Sequence, residues 1–179
     1  MRNDPNSFVA RFFQQCFPTS DDWAVALTSK TSNCTKLANE VISEKFTDPR
    51  AAHMTANFQH YTAQTIRGFP GKEVLVVRIE HMWDDLQTLD QQLGGTGNFG
   101  ERFGTKVSHG SERFQASSLS TISTQALCCA LQREIEIYRD LLFAAANLNE
   151  NDKQSTWEAA VKRCGWNSWE VFQESCNNY

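Results

Sequence analysis

The chain has 179 residues, of which 40% are hydrophobic and 11% aromatic, and this composition excludes an intrinsically disordered protein. One domain with a substantial core fits this length. A formal net charge of −4 argues against general nucleic-acid binding, which needs a basic surface. No apolar stretch approaches the length that crosses a bilayer, so we expect no membrane segment and a chain that is soluble as it stands.

Helices are predicted over most of the chain from apolar periodicity and from capping residues. Asp4-Pro5 begins the first helix, Ser20 caps the second, and Asp48-Pro49 begins the longest of the amino-terminal half. Asn149 caps the first of two short helices near the end, and Gly165 ends it. Five of the helices are predicted at 4–16, 33–45, 48–67, 84–93 and 123–146.

One segment, residues 73–80, has the composition of a strand. Its centre, Val74 to Val77, is four consecutive apolar residues, three of them β-branched, which is typical of a parallel strand covered on both faces. The pattern predicts a helix-rich α/β fold with one clear parallel-type strand at 73–80. Because such a strand needs neighbours, we expect the rest of its sheet upstream of Met1.

Two features bear on the cellular compartment. Asn33-Cys34-Thr35 matches the N-glycosylation sequon, and an even number of cysteines is compatible with disulfides, which together suggest a lumenal parent protein. The alternative is a chance sequon with free, buried cysteines. No CxxC pair or Cys/His cluster occurs, so no structural zinc site is expected. The six cysteines are Cys16, Cys34, Cys128, Cys129, Cys164 and Cys176.

The order of features between about Met54 and Leu148 resembles the sulfotransferase family. A helix with a tyrosine leads through a turn into an apolar strand that ends in Arg-x-Glu, and a helix with early aspartates follows. A late helix is then followed by an Asn-Leu pair. These are loose patterns rather than an invariant signature. The residues that carry them are Tyr61, Arg78, Glu80, Asp85, Glu134, Tyr138, Asn147 and Leu148.

The resemblance implies that the chain is the C-terminal part of a P-loop-like three-layer domain. The family transfers a sulfuryl group from 3′-phosphoadenosine-5′-phosphosulfate (PAPS) to a hydroxyl acceptor such as a carbohydrate. Its phosphate-binding loop, its base and its Arg/Ser pair for the 3′-phosphate are missing from this sequence. We therefore expect no catalytic residue, no metal and no activity of the chain alone. PAPS and the acceptor are the partners expected of an intact parent.

The resemblance also implies that the glycine-rich segment 100–114 closes over the adenosine end of PAPS. Lys106, His109 and Arg113 are the candidates for contacts with the anion, and Gly110 would allow close approach of the backbone. Long loops inside compact domains are usually functional. The alternative is a solvated surface loop with ordinary charges.

Arg78 and Glu80 lie at the carboxyl end of the predicted strand, where open α/β sheets place ligands. Buried charges normally need a partner, however, and the family's glutamate resembles a structural residue that binds backbone groups or an arginine. We therefore expect Glu80 to be structural.

The predicted organisation is one partial domain, 1–179. It consists of a helical segment at 1–47, a sulfotransferase-like core at 48–148 and C-terminal helices at 149–179. Two alternatives stay open: a small helical protein-interaction domain without catalysis, and an intact but divergent transferase. A Golgi-lumen location for a full-length parent also stays open.

Overall fold

The computed structural model describes residues 8, 10–28, 33–43, 62, 72–98 and 119–177, and most of these are helical. They fall into two compact units, which are described separately. The first comprises Met1–Pro70, Leu119–Tyr138 and Glu158–Tyr179, and the second comprises Gly71–Ser118 and Arg139–Trp157. The helices are a π-helix at Ala10–Cys16, α1 at Ser20–Thr28, α2 at Asn33–Ile42, α3 at Met82–Gln92, α4 at Thr121–Ala130, α5 at Gln132–Ala144, α6 at Glu150–Arg163 and α7 at Trp169–Cys176.

Aromatic packing forms one core of the first unit. The ring of Phe12, which is 1% exposed, lies 5.3 Å from that of Phe8, 4.7 Å from that of Phe17 and 5.4 Å from that of Trp23. Apolar residues at helical spacing on one face of α2 complete this core. They are Leu37, Ala38 and Val41.

Helix α1 begins with a reciprocal cap. The backbone N–H of Asp22 donates to the hydroxyl of Thr19 (3.2 Å), and the backbone N–H of Thr19 donates to the Asp22 carboxylate (3.0 Å). This is the capping-box arrangement, which satisfies N–H groups that the first helical turn leaves without partners. The cap is therefore Thr19, one residue before the predicted Ser20.

Three disulfides cross-link the first unit. Cys16 bonds Cys34, and the adjacent Cys128 and Cys129 at the end of α4 bond Cys164 and Cys176. All six cysteines are therefore paired. The predicted helix 123–146 is interrupted directly after this cysteine pair, at Leu131, between α4 and α5. No glycine or proline marks that break in the sequence.

The described part of the second unit consists of an extended segment and helices. Residues 72–78, which we call the extended segment after the extended backbone of Arg78, form no helix and make one bridge, at Val74. They lead into a 3₁₀ turn at Ile79–His81 and then into α3. The end of α5, the loop 145–149 and the first half of α6 complete the described part of this unit. Leu142 and Ala145, which are 0% and 1% exposed, are the most deeply buried apolar residues of its described part, and Leu148 and Trp157 are also buried.

The prediction of an α/β fold with a parallel strand at 73–80 is wrong, because the described residues contain no strand and no sheet. The segment makes one isolated parallel bridge, between Val74 and Ala145, and the chain beyond Ala145 turns instead of running alongside. After Arg78 the backbone winds into the 3₁₀ turn. A ladder needs successive pairs of residues, and here only one pair forms.

Candidate functional site

The best-defined polar arrangement of the second unit is centred on Arg78. Its backbone N–H and its Nε both donate to Oδ2 of Asp85 at 2.8 Å, and its Nη2 donates to Oδ1 at 2.5 Å. Nη1 donates to the hydroxyl of Thr156 at 2.9 Å. The two charged side chains are 6% and 3% exposed. This bidentate pair fixes the guanidinium and the carboxylate in one geometry. Because Arg78 precedes the 3₁₀ turn and Asp85 lies in α3, the pair links the two ends of the turn.

Asn147 holds the extended segment at its middle. Its Oδ1 accepts from the backbone N–H of Val76 and its Nδ2 donates to the backbone carbonyl of Val76, both at 2.8 Å and across 71 positions of sequence. The N–H of Ala146 donates to the carbonyl of Val74, also at 2.8 Å. The side-chain amide therefore takes the place that the backbone of a neighbouring strand would occupy. Together, Arg78, Asp85, Asn147 and Thr156 form what we call the Arg78 cluster.

The charge state of Asp85 follows from its surroundings. Burial disfavours the ionised carboxylate, but hydrogen bonds from the Arg78 side chain and backbone, together with the charges of Arg78 and His81, outweigh it. The pKa of Asp85 is therefore lowered from its ordinary value near 3.8. An ion pair is thus present at neutral pH, and neither partner is suited to exchange a proton there.

An open depression of about 410 Å³ lies beside the Arg78 cluster. Carboxylate, amide and hydroxyl groups line it, and no lysine or arginine is among those lining residues that the structure describes. Its polar lining consists of Asp85, Thr88, Gln92, Asn147, Asn149 and Asp152. Asn149 also caps α6, since the backbone N–H of Asp152 donates to its Oδ1 at 2.8 Å. A surface of this chemistry suits a neutral ligand rich in hydroxyl groups better than it suits an anion.

The four residues predicted to contact PAPS, namely Lys106, His109, Gly110 and Arg113, lie outside the described residues, as does Tyr61. Of the remaining resemblance residues, Arg78, Asp85 and Asn147 come together in the Arg78 cluster. Glu80 is exposed in the 3₁₀ turn, and the buried carboxylate partner of Arg78 is Asp85.

Sequence reasoning missed Thr156, Asn149 and Asp152 as parts of this region. The spacing Asn149-x-x-Asp152 is a signal that the sequence offers, because in a helix cap the third residue of the helix contacts the capping residue. Here the Asp152 backbone N–H donates to Asn149 Oδ1, and Asn149 Nδ2 donates to the Asp152 carboxylate. Thr156 offers no local signal, because it meets Arg78 across 78 positions of sequence.

Two findings concern other kinds of site. Among the residues that the structure describes, no group of three or more His, Cys, Asp or Glu side chains could hold a metal ion. Within the same ranges, no helix combines the length and apolarity that crossing a membrane requires.

Comparison of the chain with protein-family models, curated proteins and solved structures finds no match.

Proposed function

We propose that this chain is the C-terminal portion of a sulfotransferase-like protein that transfers sulfate from PAPS to a hydroxyl acceptor. The observation that supports the proposal most is the Arg78 cluster. Arg78, Asp85 and Asn147 entered the resemblance as separate points along the sequence. In the structure all three are 7% exposed or less, and each holds the same extended segment or the turn after it. Their joint presence in the sulfotransferase-like pattern would then have one physical reason, which is that they fix this segment and its turn.

The depression beside the cluster supports a carbohydrate as the acceptor. Its amide and carboxylate groups match the hydrogen-bonding needs of sugar hydroxyls, and the two carboxylates among its described lining residues disfavour a sulfonucleotide there. In this proposal the donor is held elsewhere, by Lys106, His109 and Arg113 with Gly110. A Golgi-lumen location of a full-length parent belongs to the same proposal, and the complete pairing of the cysteines supports it.

In this proposal, no residue of this chain is catalytic. In the transfer, the bond between sulfur and the 5′-phosphate oxygen of PAPS breaks, and a bond between sulfur and the acceptor oxygen forms. The acceptor proton passes to a base of the parent protein, and 3′-phosphoadenosine-5′-phosphate leaves. This chain contributes cations at one side of the donor and a polar surface for the acceptor, and we expect no transfer by the chain alone.

Calorimetric titration with 3′-phosphoadenosine-5′-phosphate tests the proposal. A partial donor site should bind it with a Kd of about 1 mM, which corresponds to about −4 kcal/mol. Replacing both Lys106 and Arg113 by alanine should abolish this binding. The matched control replaces Lys36 and Arg133, whose side chains are 79% and 63% exposed, by alanine and should leave binding unchanged.

Four outcomes would contradict the proposal. If the folded chain shows no saturable binding, or if the control variant loses as much binding, the chain has no donor site at Lys106 and Arg113. Micromolar affinity would indicate a complete donor site, and sulfate transfer by the chain alone would show that it is a whole enzyme rather than a portion.

The extended segment favours a second candidate, a protein-interaction domain without catalysis. Leu75, Val77 and Ile79 are 44%, 37% and 88% exposed, whereas the alternate side chains from Val74 to Arg78 are half-buried or buried. Within the described residues, no backbone hydrogen bond involves Leu75 or Val77. Such an edge can accept another extended chain through its backbone groups.

A second copy of the chain is the occupant to test. Antiparallel pairing of two copies about Val76 would set Leu75 of one opposite Val77 of the other, so both could exchange backbone hydrogen bonds. Sedimentation should then show a dimer that Val77→Lys abolishes. Ile122→Lys, at an apolar position that is 68% exposed in α4, should leave the dimer intact. A monomer at all concentrations would rule out this self-association.

A further inference from the structure

The sequon Asn33-Cys34-Thr35 is the single Asn-x-Ser/Thr triplet of the chain, and the structure relates it to a disulfide. Asn33 is exposed at the first residue of α2. Cys34, the middle residue of the triplet, bonds Cys16 at a sequence separation of 18. Thr35, the third residue, is 7% exposed and lies inside the helix. The three residues of one recognition triplet thus have three different environments.

The complete pairing of six cysteines points to folding in an oxidising compartment, where disulfides form and persist. Such compartments in eukaryotic cells also attach glycans to sequons. The glycosylating enzyme must reach both the asparagine amide and the hydroxyl of the third residue. After α2 forms and the disulfide closes, Asn33 stays accessible but Thr35 does not.

We propose that Asn33 is an N-glycosylation site whose occupancy is set by competition with closure of the Cys16–Cys34 disulfide. Glycosylation joins Nδ2 of Asn33 to the anomeric carbon of a lipid-linked oligosaccharide. The bond from that carbon to the pyrophosphate breaks, the lipid pyrophosphate leaves, and the amide loses one proton to a base of the enzyme. Closure of the disulfide converts two thiols into one S–S bond and passes two electrons and two protons to the compartment's thiol oxidant.

The folded surface around Asn33 has room for a first sugar. An open depression of about 440 Å³ borders the asparagine and the disulfide. Polar side chains from the π-helix and α2 surround it, and they are Arg11, Gln15, Lys36 and Glu40. Amide, guanidinium, ammonium and carboxylate groups together supply donors and acceptors for sugar hydroxyls. The described residues therefore leave space beside Asn33 for a glycan that is added before α2 forms.

The test is expression of the full chain behind a secretory leader in a eukaryotic cell, with glycan occupancy measured as the mass lost on treatment with peptide N-glycosidase. The wild-type chain should be partly occupied, and Asn33→Gln should remove the glycan completely. Cys16→Ser leaves the triplet intact but prevents the disulfide, so its occupancy should rise above that of the wild type.

The matched control is Cys129→Ser combined with Cys176→Ser, which also removes one disulfide but not the one beside the sequon. Its occupancy should equal that of the wild type. Pulse-labelled intracellular protein serves for any variant that is not secreted, since the glycan is added before folding is complete. Absence of a glycan from both the wild type and Cys16→Ser would overturn the site, and equal occupancy in these two would overturn the competition.

Discussion

Different interactions stabilise the two units of this protein, each within itself. The first has an aromatic core and three disulfides, whose cysteines have sequence separations of 18, 36 and 47. The second contains no cysteine, and its extended segment is fixed by the hydrogen bonds of the Arg78 cluster. Disulfides stabilise a fold mainly by restricting the unfolded chain. In a buried polar cluster, by contrast, the loss of one member leaves its partners buried without hydrogen bonds or without a counter-charge, which destabilises the folded state. The two units should therefore respond to different perturbations.

Reduction of the disulfides should give the largest difference between the units. The loop-closure model gives about 3 to 4 kcal/mol for each bond, so the loss of three, about 9 to 12 kcal/mol, is comparable to the whole stability of an ordinary domain, which is about 5 to 15 kcal/mol. We expect dithiothreitol to remove amide-exchange protection from α1, α2 and α4 at urea concentrations that the oxidised protein tolerates. Hydrogen exchange with mass spectrometry measures this. Equal loss of protection at residues 72–92 would contradict the comparison.

Breaking the Arg78–Asp85 pair should affect the second unit instead. Arg78→Met leaves a buried carboxylate without its partner, and we expect a loss of about 3 to 5 kcal/mol in the free energy of unfolding. Urea denaturation of the variant measures the loss. Arg78→Met combined with Asp85→Leu removes both charges and should recover much of it. Arg133→Ala, which breaks an exposed pair with Glu136, is the control and should change little.

The same pair predicts a dependence on pH. Because the pKa of Asp85 is lower in the folded state, its contribution is present above the unfolded value near 3.8 and is lost as pH falls through the folded pKa. Between pH 5 and pH 2 the wild type should therefore lose more stability than Asp85→Asn does. Parallel urea titrations of the two proteins test this. Identical pH profiles would mean that Asp85 is not ionised in the folded protein.

Asn147→Leu should have an intermediate effect. The substitution keeps a similar volume but leaves the backbone N–H and carbonyl of Val76 without the partners that the amide supplies, at about 1 to 3 kcal/mol. Exchange of the Val76 amide hydrogen, followed by NMR, should accelerate first. Asn39→Leu is the comparison in the first unit, where the amide donates to the Thr35 carbonyl at an exposed position. An effect as large in Asn39→Leu would deny Asn147 a special role.

The sequence predicted the helical parts of the chain from local signals that survive in the folded protein. The N–H of Asp152 donates to Asn149, which confirms the predicted cap, and Gly165 has a φ of +86° where the helix was expected to end. Such signals act within one turn of helix, so the tertiary structure does not have to be known. The paired cysteines lay beyond this reach, because six cysteines allow 15 connectivities.

The strand prediction failed for a physical reason. The run from Val74 to Val77 is apolar on both faces, as a covered strand is, but composition does not state which face finds a partner. In the structure, Val74 and Val76 are half-buried whereas Leu75 and Val77 are exposed, and a side chain 71 positions away supplies the hydrogen bonds of Val76. Arg78, Asp85 and Asn147 are among the residues on which the resemblance was based, but the sequence did not predict that they lie together. The polar lining contributed by Asn149 and Asp152 needed the three-dimensional arrangement.

Removing one helix cap from each unit should give the smallest effect. Asn149 caps α6 through the N–H of Asp152, and Ser168 caps α7 through the N–H of Val171 (3.3 Å). Replacement of either residue by alanine should cost about 1 kcal/mol, because one N–H of the first helical turn loses its partner. Urea denaturation compares the two variants.

Since α7 is also tethered by the Cys129–Cys176 bond, Ser168→Ala should leave exchange protection of that helix largely intact. Asn149→Ala should fray the beginning of α6, which has no disulfide before Cys164. Equal fraying in both helices would mean that the disulfides do not protect helix ends, and the contrast between the units would then be limited to global unfolding.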